Sequence, residues 1–190
     1  ISVGKGGALP GGILNQGILS APSYTGISVF SSGAIVPSIQ NSGVINVFGN
    51  FGHGGTGILI GDGSQVGSID NTGAIQASAS YTGDAGIGIS ITNGSQVGSI
   101  SNSGTIDGDI LLHEGSQVTG AISNSGLIDG EVYVSDYPSF SGTSGPSYTN
   151  GLAPEKTSIG SLANSGTITA GLFVENSDVK GNVTNGVGGE

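Results

Sequence analysis

Ile100-Ser-Asn-Ser-Gly-Thr-Ile106 and Ile122-Ser-Asn-Ser-Gly-Leu-Ile128 are one phrase written twice, 22 residues apart. It recurs as IQNSGVI at 39–45, IDNTGAI at 69–75 and LANSGTI at 162–168, with a weaker ILNQGIL at 13–19 and an opening VTNGV at 183–187. The anchoring asparagines are Asn15, Asn41, Asn71, Asn102, Asn124, Asn164 and Asn185, spaced by 26, 30, 31, 22, 40 and 21 residues. The shortest spacings set a unit of 21–22 residues, and the longer ones are that unit with an insertion. Self-similarity at so short a period is the signature of a solenoid.

Two further phrases keep step with the first. GSQVGSI stands at 63–69 and 94–100, with GSQVTGAI at 115–122, each leading into the asparagine phrase. After it comes a short alternating piece: Ile58 and Ile60; Ile87, Ile89 and Ile91; Ile110 and Leu112; Val132 and Val134; Leu172 and Val174. Apolar residues at every second position mark strands with one buried face. Each unit therefore holds three short strands divided by Gly, Asn, Ser or Asp corners, and a lone unit has nothing to bury its apolar side chains against. Stacked units bury them and pair every strand with its equivalents. The expected fold is all-β: a right-handed parallel β-helix of about seven coils, a single domain over 1–190, on the order of 35 Å long at strand spacing. A left-handed β-helix would show a hexapeptide beat, which is missing. At the corners the asparagine tolerates the left-handed conformation and can hydrogen-bond through its amide to its counterpart one coil away, while the glycine two places on is expected to supply a positive φ.

Composition excludes several classes. Glycine is 39 of 190 residues, but charged residues are only 8% and hydrophobic ones 35%, so the chain has material to bury and little charge to keep it expanded. Cysteine is absent, which removes disulfides, thiolate metal sites and cysteine nucleophiles. Arginine is also absent, and Lys5, Lys156 and Lys180 face 13 carboxylates for a net charge of −10. Nucleic acid and anionic membranes, which need clustered cations, are poor partners for such a chain, and no nucleic-acid partner is expected. The start, ISVGKGGALPGGI, has no initiating Met and no signal-peptide pattern, and reads as a piece of a longer chain.

Insertions break the repeat near 20–26, 48–57, 77–86 and 136–156, and they concentrate the aromatic residues: Tyr24, Phe48, Phe51, Tyr81, Tyr137, Phe140 and Tyr148. Rings in Ser/Gly-rich loops offer large contact area at small entropic cost, so these seven are the candidate partner-binding residues; the competing reading folds them back onto the rod. If the coils stack in register, Asp107 lies over Asp129 and Asp109 over Glu131. Such a patch is either solvated or holds a cation such as calcium, although no acidic motif has calcium-loop spacing. No other cofactor is indicated. Asp62, Asn93, Glu114, Asp136 and Asn176 share a second corner position. His53 and His113 have no partner by spacing and read as surface residues, and the serines sit in structural phrases rather than a nucleophile elbow. The chain is not expected to be an enzyme.

The phrases ISNSGTI, ISNSGLI and LANSGTI, with GSQV before the closest copies, resemble the passenger domains of Gram-negative autotransporters, the adhesin class of type V secretion. The resemblance spans essentially the whole chain and reports the scaffold more than an activity. It implies a β-helical stalk exported through the outer membrane and displayed at the cell surface, where it adheres to a host or surface receptor, protein or glycan, or to copies of itself. It implies no insertion of this segment into the membrane. A carbohydrate-active β-helical enzyme and a purely structural stalk are the alternatives.

Overall fold

The computed structural model describes residues 1–22, 24–49, 54–78, 86–136 and 156–186. Within them the chain winds through seven coils of three strands each. The first coil is β1 (Ser2–Val3), β2 (Ile13–Asn15) and β3 (Ile18–Ala21); the second is β4 (Thr25–Phe30), β5 (Ile35–Asn41) and β6 (Val44–Phe48). The third comprises β7 (Thr56–Gly61), β8 (Gln65–Asn71) and β9 (Ala74–Ser78), and the fourth β10 (Ile87–Ile91), β11 (Gln96–Asn102) and β12 (Thr105–Asp107). The fifth is β13 (Asp109–Leu112), β14 (Gln117–Asn124) and β15 (Leu127–Asp129), and the sixth β16 (Glu131–Ser135), β17 (Ser158–Asn164) and β18 (Thr167–Ile168). The last is β19 (Gly171–Glu175), β20 (Asp178–Val179) and β21 (Val183–Asn185).

Every third strand pairs in parallel, which makes three sheets along the rod. The first runs β1-β4-β7-β10-β13-β16-β19, the second β2-β5-β8-β11-β14-β17 with β20 and β21 both on β17, and the third β3-β6-β9-β12-β15-β18. The expected parallel β-helix is the observed one.

The register follows from side chains that stack on their own kind. Ile39, Ile69, Ile100, Ile122 and Leu162 form one inward column, and Ile45, Ile75, Ile106, Ile128 and Ile168 another. Nearly all are fully buried. β-Branched side chains suit this pleated, buried surface, and each contributes about 1.5–3 kcal/mol relative to an exposed position. A slip of one residue would turn a whole column to solvent, so the columns hold the register. The extra residue of GSQVTGAI is absorbed as a bulge in β14 between Val118 and Ala121, which leaves Ile122 in line.

The asparagines form an unbroken ladder. Asn15 Nδ2 donates to Asn41 Oδ1 at 2.7 Å, and the pattern repeats through Asn71, Asn102, Asn124 and Asn164 to Asn185 at 2.7–2.8 Å. The same Nδ2 groups also donate to the carbonyls of Val44, Ala74, Thr105, Leu127 and Thr167 at 3.0–3.2 Å, which satisfies amides that lie inside the rod.

The expected left-handed corner is elsewhere. Neither the ladder asparagines nor their glycines have positive φ. Gly43, Gly73, Gly104, Gly126 and Gly166 are required by crowding instead: a Cβ on any of them would collide with the carbonyl oxygen of the equivalent glycine in the preceding coil. Positive φ occurs at the corner between the first and second sheets, at Asp62 (55°), Asn93 (54°), Glu114 (57°) and Asn176 (48°). In three of these Gly63, Gly94 or Gly115 follows, also with positive φ, which marks tight turns of the hairpin-like primed type. Asp136 shares the position but not the conformation. Its Oδ1 accepts from Gly115 N at 3.2 Å, Thr157 N at 3.3 Å and Thr157 Oγ1 at 3.1 Å, across residues 137–155.

Candidate interaction surface

The corner between the third and first sheets carries three of the four insertions, and the strand ends trim them. Residues 22–24 alone separate β3 from β4, residues 49–55 separate β6 from β7, and residues 79–86 separate β9 from β10. The three connections leave the same edge of the rod in successive coils. Their bases are fixed: Ser78 O accepts from Gly49 N at 2.7 Å and from Gly55 N at 3.2 Å, so the second connection departs and returns at one carbonyl. Tyr24 caps this edge with φ of 64°, a conformation costly for a bulky residue, while its carbonyl accepts from Thr56 N at 2.7 Å. The residue is 47% exposed.

Phe48 is the last residue of β6, paired with Ser78 and half exposed at the same edge, so it is a strand residue rather than part of a loop. Phe51, Tyr81, Tyr137, Phe140, Tyr148 and His53 lie outside the described residues. The structure thus brings Tyr24 and Phe48 to one edge. The insertion at 136–156 leaves from the corner between the first and second sheets.

The carboxylates stack only in part as the repeat implies. Asp107 pairs with Asp129, and Thr169 Oγ1 donates to Asp129 Oδ1 at 3.0 Å. Burial, and then the charge of Asp129, raise the Asp107 carboxyl above its ordinary value. Asp109 turns its carboxylate to the backbone, where Oδ1 accepts from Glu131 N at 2.9 Å. Burial and the Asp109 charge raise Glu131 as well. Among the described residues no group of three or more His, Asp or Glu is placed to hold a metal ion.

His113 is buried, contrary to its reading as a surface residue. It follows the inward Leu112 at a position stacked beside Thr92, and Thr92 Oγ1 lies 3.4 Å from its Nδ1. Burial lowers its pKa below the ordinary 6.5, and Glu114, whose Oε2 is 3.6 Å away, opposes that shift. The same Oε2 accepts from Thr92 Oγ1 at 2.5 Å, so the hydroxyl is turned to a carboxylate and not to the imidazole as a nucleophile would be.

A second exposed surface went unmarked in the repeat. On the outer face of the first sheet Leu111, Tyr133 and Phe173 stand in register, in strands whose inward neighbours are Ile110, Leu112, Val132 and Val134. Tyr133 Oη donates to Glu175 Oε2 at 2.6 Å, a bond that raises the phenol above its usual range. The signal was parity: large apolar residues at outward positions of alternating strands. At the corner between the second and third sheets, a shallow groove of about 270 Å³ is lined by Ser101, Ser123, Ser125, Ser165 and Thr184 beside the asparagine ladder.

Comparison of the chain with protein-family models, with curated proteins and with solved structures finds no match.

Proposed function

We propose that the chain is a surface-displayed β-helical rod that acts in adhesion, as a passenger segment of the autotransporter type. It attaches to a host or surface ligand, protein or glycan, or to copies of itself, after export through the outer membrane. The observation that supports this reading is the alignment of three connections along one edge of a stiff scaffold, with Tyr24 and Phe48 half exposed there. A rod that repeats a weak contact at coil spacing, on many molecules at one surface, gains avidity without any single strong site. The ladder and the inward columns hold the coils in register behind that edge.

The test is retention of the chain on immobilised glycans, matrix proteins and the chain itself. Tyr24→Ser with Phe48→Ser should lower retention by about tenfold, a loss of about 1.4 kcal/mol, with no change in the circular dichroism spectrum. Undiminished retention of that variant removes the edge from the proposal. A wild-type chain that nothing retains reduces the rod to a spacer.

A further inference from the structure

The outer face of the first sheet in its last three coils combines aromatic surface with uncompensated negative charge. Strand alternation sends Asp109 and Leu111, Glu131 and Tyr133, and Phe173 and Glu175 to the same side, while Ile110, Val132 and Val134 fill the core. Phe173 is 51% exposed and lies next to Tyr133 at strand spacing. Carboxylates border the two rings on both sides, Asp109 and Glu131 before them and Glu175 after. The charges of Glu175 and Glu131 both act on the Tyr133 phenol, so the groups form one cluster.

No lysine serves this cluster. Lys156 pairs with Asp178 at 3.2 Å on the second sheet, Lys180 follows β20, and Lys5 belongs to the first coil. The cluster's charge is therefore open to compensation from outside the chain.

We propose that this face binds the cationic side chains of a basic protein segment, with an arginine or lysine seated on the Phe173 and Tyr133 rings between Glu131 and Glu175. The aromatic faces attract a cation through their quadrupole, and the carboxylates supply charge-assisted hydrogen bonds to the same group. Charge decides among occupants. A second copy of a chain with net charge −10 brings more carboxylates to a face that already repels them, and a neutral glycan would cover the carboxylates without neutralising them. The site is independent of the loop-bearing edge, so either proposal can fail alone.

The experiment is a titration of the full chain with hexa-arginine peptide, followed by backbone amide chemical shifts. Shifts concentrated at Leu111, Tyr133 and Phe173 are expected. Phe173→Leu, which keeps an apolar body but removes the ring, and Glu131→Gln should each weaken binding by about two- to fivefold. Both lie on the outer face, and an unchanged melting temperature confirms that they fold. Equal affinity in both variants overturns the proposal, as do shifts scattered over Asp62, Asp70 and Asp178, which report diffuse attraction to an acidic chain. Cellohexaose producing the same shifts in place of the peptide, or line broadening at this face that grows with protein concentration alone, would assign it instead to a glycan or to a second copy.

Discussion

The same corner is built two ways along the rod. Between the third and first sheets, the early coils carry connections of up to eight residues, at 79–86, whereas later coils turn on Gly108 alone, on Gly130 alone, and on Thr169 and Ala170. The inward column from Ile45 through Ile75, Ile106 and Ile128 to Ile168 runs through the change in register. Scaffold and display are thus separable. The columns and the ladder continue in register whatever the length of the connection.

The largest expected effect tests whether the two regions share one ladder. Asn71→Ala in a loop-bearing coil and Asn124→Ala in a tight one should each destabilise by about 3 kcal/mol, because each leaves a buried donor and a buried acceptor unpaired. Thermal or urea unfolding measures this, and losses differing by more than about twofold would show the regions to be held differently. Next in size, Gly73→Ala and Gly126→Ala should each cost about 2 kcal/mol by driving a Cβ into a backbone carbonyl. A melting curve that does not move would mean that the coils part at no cost.

Deleting residues 79–85, so that Gly86 alone joins β9 to β10 as Gly108 alone joins β12 to β13, should change stability by no more than about 1 kcal/mol, since closure entropy depends only weakly on loop length. Retention on the adhesion screen should fall. A collapse in stability would show that the display edge is part of the scaffold.

The smallest effects are in pH. His113 has a folded-state pKa below 6.5, so its neutral form stabilises above 6.5 and that contribution is lost as pH falls through the folded value. Asp107 behaves oppositely. Its carboxyl is raised from 3.8, so its contribution is present below 3.8 and is lost as pH rises through the folded value. In melting curves taken between pH 4 and 8, His113→Asn should flatten the acid side and Asp129→Asn should lessen the gain on acidification near Asp107. Curves that superimpose on the wild type would remove both groups from the account.

Much of this was legible in the residues. The period, the three strands per coil and the inward columns follow from Ile and Val recurring at fixed offsets, and the ladder from asparagines that recur with them. The reason for the ladder glycines was not legible. A glycine demanded by positive φ and one demanded by a neighbouring coil look alike in one dimension, and Gly104 needs the carbonyl of Gly73 to explain it. His113 misled for a related cause: its burial depends on Thr92, 21 residues away, and not on its local sequence. Tyr133 and Phe173 lie 40 residues apart in sequence, and only the register shows that they meet on one face.

The ladder has an electrical consequence. Each asparagine side chain sends its N–H toward the next coil, while at the same corner the backbone runs the other way: Ser42, Thr72, Ser103, Ser125 and Ser165 each donate a main-chain N–H back to the preceding asparagine's carbonyl at 2.8–2.9 Å. Side-chain and main-chain dipoles are therefore antiparallel along the axis. A helix sums its peptide dipoles into charged ends; here the side-chain column opposes the main-chain one, so each added coil brings an amide that offsets part of the main-chain dipole at this corner.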